Sequence, residues 1–165
     1  MESLDVSVIV ILGSENDIWK LGGKEKVEEK LKYLKETDPN FSASVSVISC
    51  HRNPLELFEF CQNNKAQLWI GVAGKAAALP GIIKAYLHAF KKPAHVVGVG
   101  ISSNDVDDYL AAELSITQLP GQPVEFMGFD EKGFNNALQF FKLMTDKEVR
   151  EVESKEPQLN IIYVK

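Results

Sequence analysis

Cysteine is scarce in this chain of 165 residues: only Cys50 and Cys61 occur, and they lie close together. A structural disulfide framework is excluded, and a reduced, cytoplasmic setting is the expectation. The histidines number three, and His51, His88 and His95 match no metal-ligand spacing; no cysteine pair of zinc type accompanies them. No apolar run approaches the ~20 residues of a membrane span. The run 6–12 has the hydrophobicity of a signal-peptide core, but Glu2 and Asp5 precede it instead of basic residues, and no small-residue cleavage pattern follows. Positive charge is also in short supply. Lys and Arg total 18 against 23 Asp and Glu, a net charge of -5, which excludes a general nucleic-acid binder with a basic face. Neither the dinucleotide fingerprint nor the Walker phosphate loop occurs, so chemistry without cofactor or metal is the simplest expectation.

What is present reads as an ordinary soluble domain, 45% hydrophobic and 25% charged. No repeat, low-complexity segment or interdomain linker divides it, so residues 1–165 are expected to form one domain. Its core spans about 6–145, and a helical extension and tail follow at 146–165. Near-continuous or alternating apolar runs predict strands over 6–12, 42–48, 68–72, 96–100 and 124–129. Between them, helical spacing covers 20–37, 54–63, 81–90, 105–114 and 134–144, with helical character continuing over 145–154. Pro54 suits the first turn of its helix. Strand–helix alternation with short connections implies parallel strands and right-handed crossovers, a doubly wound three-layer α/β domain. The apolar end, 159–164, is expected to pair, to pack against another subunit, or to fray.

Three short polar junctions close apolar runs, and such junctions pool at the carboxyl ends of parallel strands, where ligands bind. At the first, Gly13 permits a tight turn, Ser14 offers a hydroxyl, and Asn16 and Asp17 stand where a helix begins and can cap it. Plain capping is the commoner role of such residues, and Trp19 reads as a core or staple residue rather than a base-stacking platform. The second junction is sharper. Ser49, His51 and Arg52 combine a hydroxyl, a proton carrier near neutral pH and a planar fork of donors suited to phosphate. A lone histidine reads as structural; beside Ser49 and Arg52 at a strand end it reads as functional. Cys50 lacks a base to activate it and reads as a small apolar residue. The third junction, Ala73-Gly74-Lys75-Ala76-Ala77-Ala78-Leu79-Pro80-Gly81, is low in bulk. It lets a ring lie against the main chain, or it is simply a loop; Lys75 meets an anion there or points into water. His88 and His95 lie away from the junctions. Together the three predict a small anionic substrate, phosphorylated, with His51 moving the proton.

These junctions, in this order, resemble the family of 5-(carboxyamino)imidazole ribonucleotide mutases and aminoimidazole ribonucleotide carboxylases, the PurE family of purine biosynthesis. Gly13, Ser14, Asp17 and, one place late, Trp19 match its Gly-Ser-x-Ser-Asp-Trp motif. Ser49, His51, Arg52 and Pro54 match Ser-Ala-His-Arg-x-Pro. Ala73, Gly74, Ala76, Ala77, Leu79, Pro80 and Gly81 match Ala-Gly-Gly-Ala-Ala-His-Leu-Pro-Gly, and Ser115-Ile116-Thr117-Gln118-Leu119-Pro120 resembles Ser-Ile-Val-Gln-Met-Pro. There are departures. Asn16 replaces a serine, Ala78 stands where mutases carry histidine, and Lys75 stands where they carry glycine. Arg52 is mutase-like, whereas Lys75 resembles the arginine of the direct carboxylases.

The resemblance implies a flavodoxin-like fold and specific roles. Ser14, Ser49 and Arg52, assisted by Asn16, would hold the 5′-phosphate, Asp17 the ribose hydroxyls, and the main chain of Ala73 and Gly74 the aminoimidazole edge. Lys75, Ala78 and Leu79 complete the substrate-binding set. His51 would protonate the carbamate nitrogen and later remove the proton from the ring carbon, with carbon dioxide trapped in a closed, water-poor recess. The implied partners are a phosphoribosyl aminoimidazole substrate and carbon dioxide, with no cofactor, and a homo-octamer with sites at subunit contacts. The rivals are direct carboxylation by carbon dioxide, a relative with altered activity, and a non-enzymatic flavodoxin-like binder or receiver. A receiver would need an aspartate at the end of the third strand, and 69–74 has none.

Overall fold

Five apolar runs become five parallel strands. In a computed structural model, which describes residues 3–144 and 148–157, they are β1 (Asp5–Leu12), β2 (Ala43–Val47), β3 (Lys65–Ala73), β4 (His95–Gly100) and β5 (Glu125–Phe129), in the order β2-β1-β3-β4-β5. The helices are α1 (Asp17–Lys20), α2 (Lys24–Thr37), α3 (Pro54–Asn63), α4 (Leu79–Ala89), α5 (Val106–Thr117) and α6 (Asp130–Leu143). Alternation explains why β1 has no polar stretch in its centre. Val8, Val10 and Leu12 face one core with Val27, Leu34 and Phe134, while Ile9 and Ile11 face the other with Leu57, Ile83 and Ile116. Each such side chain contributes about 1.5–3 kcal/mol by leaving water. The flavodoxin-like order reverses direction between β1 and β3, so a crevice opens at their carboxyl ends.

One local device shapes the crevice, and a second anchors the far end of α3. Gly71 of β3 lets α4 approach closely, since a Cβ there would lie 2.9 Å from the Pro80 ring. Lys92 donates to the carbonyls of Cys61 and Asn64, both at 2.9 Å, and to that of Gln62. Its charge satisfies carbonyls left open at the end of α3, which holds the helix that follows His51.

The structure starts β3 at Lys65 and α6 at Asp130, ahead of the expected 68 and 134, and departs from expectation further in four places. The helix expected over 20–37 is two helices, broken where Gly22 and Gly23 take φ of 104° and 93°. Helix α5 runs on to Thr117, and within its last turn Ser115 and Thr117 turn their hydroxyls back onto the carbonyls of Ala111 and Glu113. Residues 148–157 carry no helix. Val149 and Val152 are too few to give a buried face, and the segment instead reaches for charged partners. Arg150 donates to the Gln122 carbonyl and lies 3.7 Å from Glu125; Glu151 lies 3.8 Å from buried Lys84; Ser154 Oγ is 2.8 Å from His88 Nε2. The tail expectation for 159–164 falls outside the described residues. Trp19, expected as a core or staple residue, is 71% exposed, because its four-residue helix lies at the rim. Among the described residues no helix is long and apolar enough to cross a membrane.

Candidate active site

All three junctions meet at the carboxyl edge of β1, β2 and β3. Gly13 donates its amide to the Val72 carbonyl at 2.8 Å, and a Cβ on Gly13 would lie 3.6 Å from the Ala73 methyl, so the first and third junctions touch. Arg52 joins the second to the first: its Nη2 donates to the Gly13 carbonyl at 3.0 Å. Ser49 is buried, and its hydroxyl accepts the amides of His51 at 3.3 Å and Arg52 at 3.2 Å. Asn53 tightens the turn, accepting the Ser49 amide at 3.3 Å and returning its own amide to the Ser49 carbonyl at 2.8 Å. An Asn-Pro pair opening a helix carries that signal in sequence, yet Asn53 was not among the expected residues.

The first junction is built differently from a capped helix. Asn16 is exposed and its side chain caps nothing; its amide instead donates to Ser14 Oγ at 3.4 Å. Asp17 is buried, and Oδ2 accepts the Ser14 amide at 2.9 Å. Burial raises the Asp17 pKa above its usual value, opposed in part by the Ser14 amide and by the Arg52 charge. Such a raised pKa means that the fold disfavours the charged form. The penalty is fully present above the folded-state pKa, fades as pH falls from there toward the ordinary carboxylate value, and is gone below it. Asp17→Asn should therefore melt no lower than the parent at pH 7, and the two melting curves should converge by about pH 3; a lower Tm at neutral pH would contradict this.

At the third junction, Ala73 and Ala77 are buried, Ala76 takes φ of 47°, and Leu79 inserts into the core beside Ile83. Leu79 thus presents main chain, not side chain, to the crevice, and Ala78 is half-buried at the start of α4. Lys75 is 73% exposed and pairs with Asp108 at 2.7 Å, so its charge is spent on α5. Cys50 is half-buried with its thiol pKa raised by burial, and buried Cys61 is pushed up to about 12; neither environment favours a thiolate.

His51 departs from expectation in its surroundings. It is exposed, as is Arg52, and the described residues of one chain do not close a water-poor recess over it. An open groove of about 610 Å³ lies elsewhere, between α2 and the edge strand β2, and holds none of the expected residues.

A doubly wound α/β fold with a Ser-His-Arg turn facing an Ala-Gly turn across the switch point defines a class of small-molecule enzyme, and the comparisons say which. Residues 7–156 match the model of the AIR carboxylase family, and the chain belongs to that family. It is 33% identical over 142 residues to the N5-carboxyaminoimidazole ribonucleotide mutase of Methanocaldococcus jannaschii, covering 86% of this chain and 80% of that one. To the protein of the same name from Haemophilus influenzae it is 34% identical over 139 residues, covering 82% and 76%. Among solved structures, Treponema denticola PurE superposes with a TM-score of 0.59 at 18% identity, over 86% of this chain and 81% of that one, a likeness of fold.

Proposed function

We propose that this chain rearranges 5-(carboxyamino)imidazole ribonucleotide to 4-carboxy-5-aminoimidazole ribonucleotide. The observation that carries the reading is the turn Ser49-Cys50-His51-Arg52, locked by the Ser49 hydroxyl and tied through Arg52 to Gly13. It sets an imidazole beside an anion-binding fork at the switch-point crevice, in a chain whose relatives are named as mutases.

In this reading Arg52, Ser14 and Ser49 hold the 5′-phosphate, with Asn16 at the rim, and Asp17 accepts the ribose hydroxyls. The Ala73-Gly74 main chain meets the aminoimidazole edge. Protonated His51 gives its proton to the carbamate nitrogen; the nitrogen–carbon bond breaks and its electron pair stays on nitrogen, releasing carbon dioxide. The electron-rich ring carbon then bonds to that carbon dioxide, and neutral His51 takes the proton from the same carbon, which regenerates the acid. Holding the gas beside the ring replaces a dilute encounter with a local one.

The exposure of His51 makes assembly part of the proposal. Trp19, Leu55 and Val106, 71%, 73% and 77% exposed, begin helices around the same edge, and a second copy packed there would close the recess. The family resemblance gives the count as eight. Light scattering should find an octamer, and a monomer at micromolar concentration would contradict this part.

The second reading is direct carboxylation of aminoimidazole ribonucleotide, which rests on the residue type of Lys75, similar to the arginine of the direct carboxylases, although its charge is paired with Asp108. Two assays separate them. The mutase reading predicts turnover of the carboxyamino nucleotide without bicarbonate and little turnover of the amino nucleotide with it; the reverse pattern would establish the carboxylase.

A further inference from the structure

Asp130 opens α6 with φ of 52°, a left-handed conformation that a side chain enters at a cost and that glycine adopts freely. Such strain persists where the surroundings over-determine it. Here they do. Asp130 Oδ1 accepts the Ser102 amide at 2.9 Å, and Oδ2 accepts the Ser102 hydroxyl. A glycine would suit the backbone but would hold nothing, so the side chain is what the position retains.

The clamp lies one short step from the third junction. Ile101, next to Ser102, donates its amide to the Ala73 carbonyl at 2.9 Å. A Cβ on Gly74 would rest 3.6 Å from Ile101 Cβ. On the far side, Phe129 fills the space over Gly100 and stacks on Tyr109 of α5 at 3.9 Å, which seats Asp130 at the β5 edge. A continuous chain of contacts therefore runs from Asp130 through Ser102 and Ile101 to the Ala73-Gly74 main chain. No motif in the sequence marked either Asp130 or Ser102.

We propose that Asp130 is a positioning residue, which pins the β4–α5 connection through Ser102 and so fixes the main-chain edge at Ala73-Gly74 against which the ring must lie. The inference rests on the reading of the reaction given above. Its consequence falls on turnover more than on stability. Asp130→Gly removes the clamp and relieves the backbone at once, which separates positioning from folding.

The test takes purified Asp130→Gly, Ser102→Ala, the double variant and Asp130→Asn. The expected result is a Tm for Asp130→Gly within a few degrees of the parent, faster amide exchange at 101–103, and kcat reduced about 10–100-fold with KM less affected. Ser102→Ala, which loses only the hydroxyl bond and keeps the amide bond, should move the same way by a smaller amount. The double variant should be no worse than Asp130→Gly, since that substitution already deletes both hydrogen bonds, including the one Ser102→Ala removes. Asp130→Asn keeps an acceptor for the Ser102 amide and should recover most of the loss. Turnover of Asp130→Gly within twofold of the parent would overturn the proposal, as would lost turnover with unchanged exchange at 101–103. A parent that turns over neither nucleotide would overturn the reading of the reaction instead, and the exchange data would still report whether the clamp exists.

Discussion

Replacing His51 with asparagine should leave folding and nucleotide binding at parental levels and remove about 10²–10⁴ of turnover, the usual share of a general acid–base group. Folding should survive because the His51 side chain is exposed, and its turn is held by the Ser49 hydroxyl and by Asn53. Binding should survive because the proposed phosphate contacts are assigned to Arg52, Ser14 and Ser49. The deficit should appear in kcat with KM nearly unchanged, the signature of a contact made in the transition state. Titration calorimetry with the nucleotide and steady-state assays on the same preparation check both halves. Near-normal turnover in Asp17-intact, His51→Asn enzyme would remove His51 from the chemistry.

Arg52→Ala should act on affinity. One donor of the guanidinium is used on the Gly13 carbonyl, at 3.0 Å, and the remaining donors of its planar fork face the exposed side of the turn, where a phosphate can take them. A charge-assisted hydrogen bond contributes about 1.5–3 kcal/mol, so the nucleotide Kd should rise roughly 10–150-fold. Inorganic phosphate should cease to compete with the nucleotide, and the dependence of binding on salt should flatten. The stability cost should be small because the side chain is exposed. An unchanged Kd would take Arg52 out of the phosphate site.

Much of the architecture was legible in sequence for a physical reason. Strands β1 and β3 bury both faces along their carboxyl halves, so Val8 to Leu12 and Leu68 to Val72 show the near-continuous apolar character of a covered parallel strand. Pro54 marked the start of α3 because a first-turn proline forfeits no helical bond. The junction residues followed from the same logic, since strand ends in a parallel sheet converge. What escaped were features that depend on distant partners. The break at Gly22-Gly23 needed backbone angles that composition does not give. The non-helical course of 148–157 is accompanied by contacts to Lys84, His88 and Glu125, far away in sequence. The pairing of Lys75 with Asp108 and the Asp130 clamp on Ser102 likewise join residues with no shared motif. The exposure of His51 escaped because sequence patterns describe one chain and say nothing of what covers its rim.

The central claim is that one bound nucleotide keeps its own carboxyl group while a single imidazole carries the proton both ways. Carboxyamino nucleotide labelled with carbon-13 in its carboxylate, turned over in excess unlabelled bicarbonate, tests it directly. The account predicts that the product retains nearly all of the label and that the His51→Asn variant forms almost no product. Extensive loss of label to the bicarbonate pool would contradict it, since the carbon dioxide would then have left the site before the ring carbon could capture it.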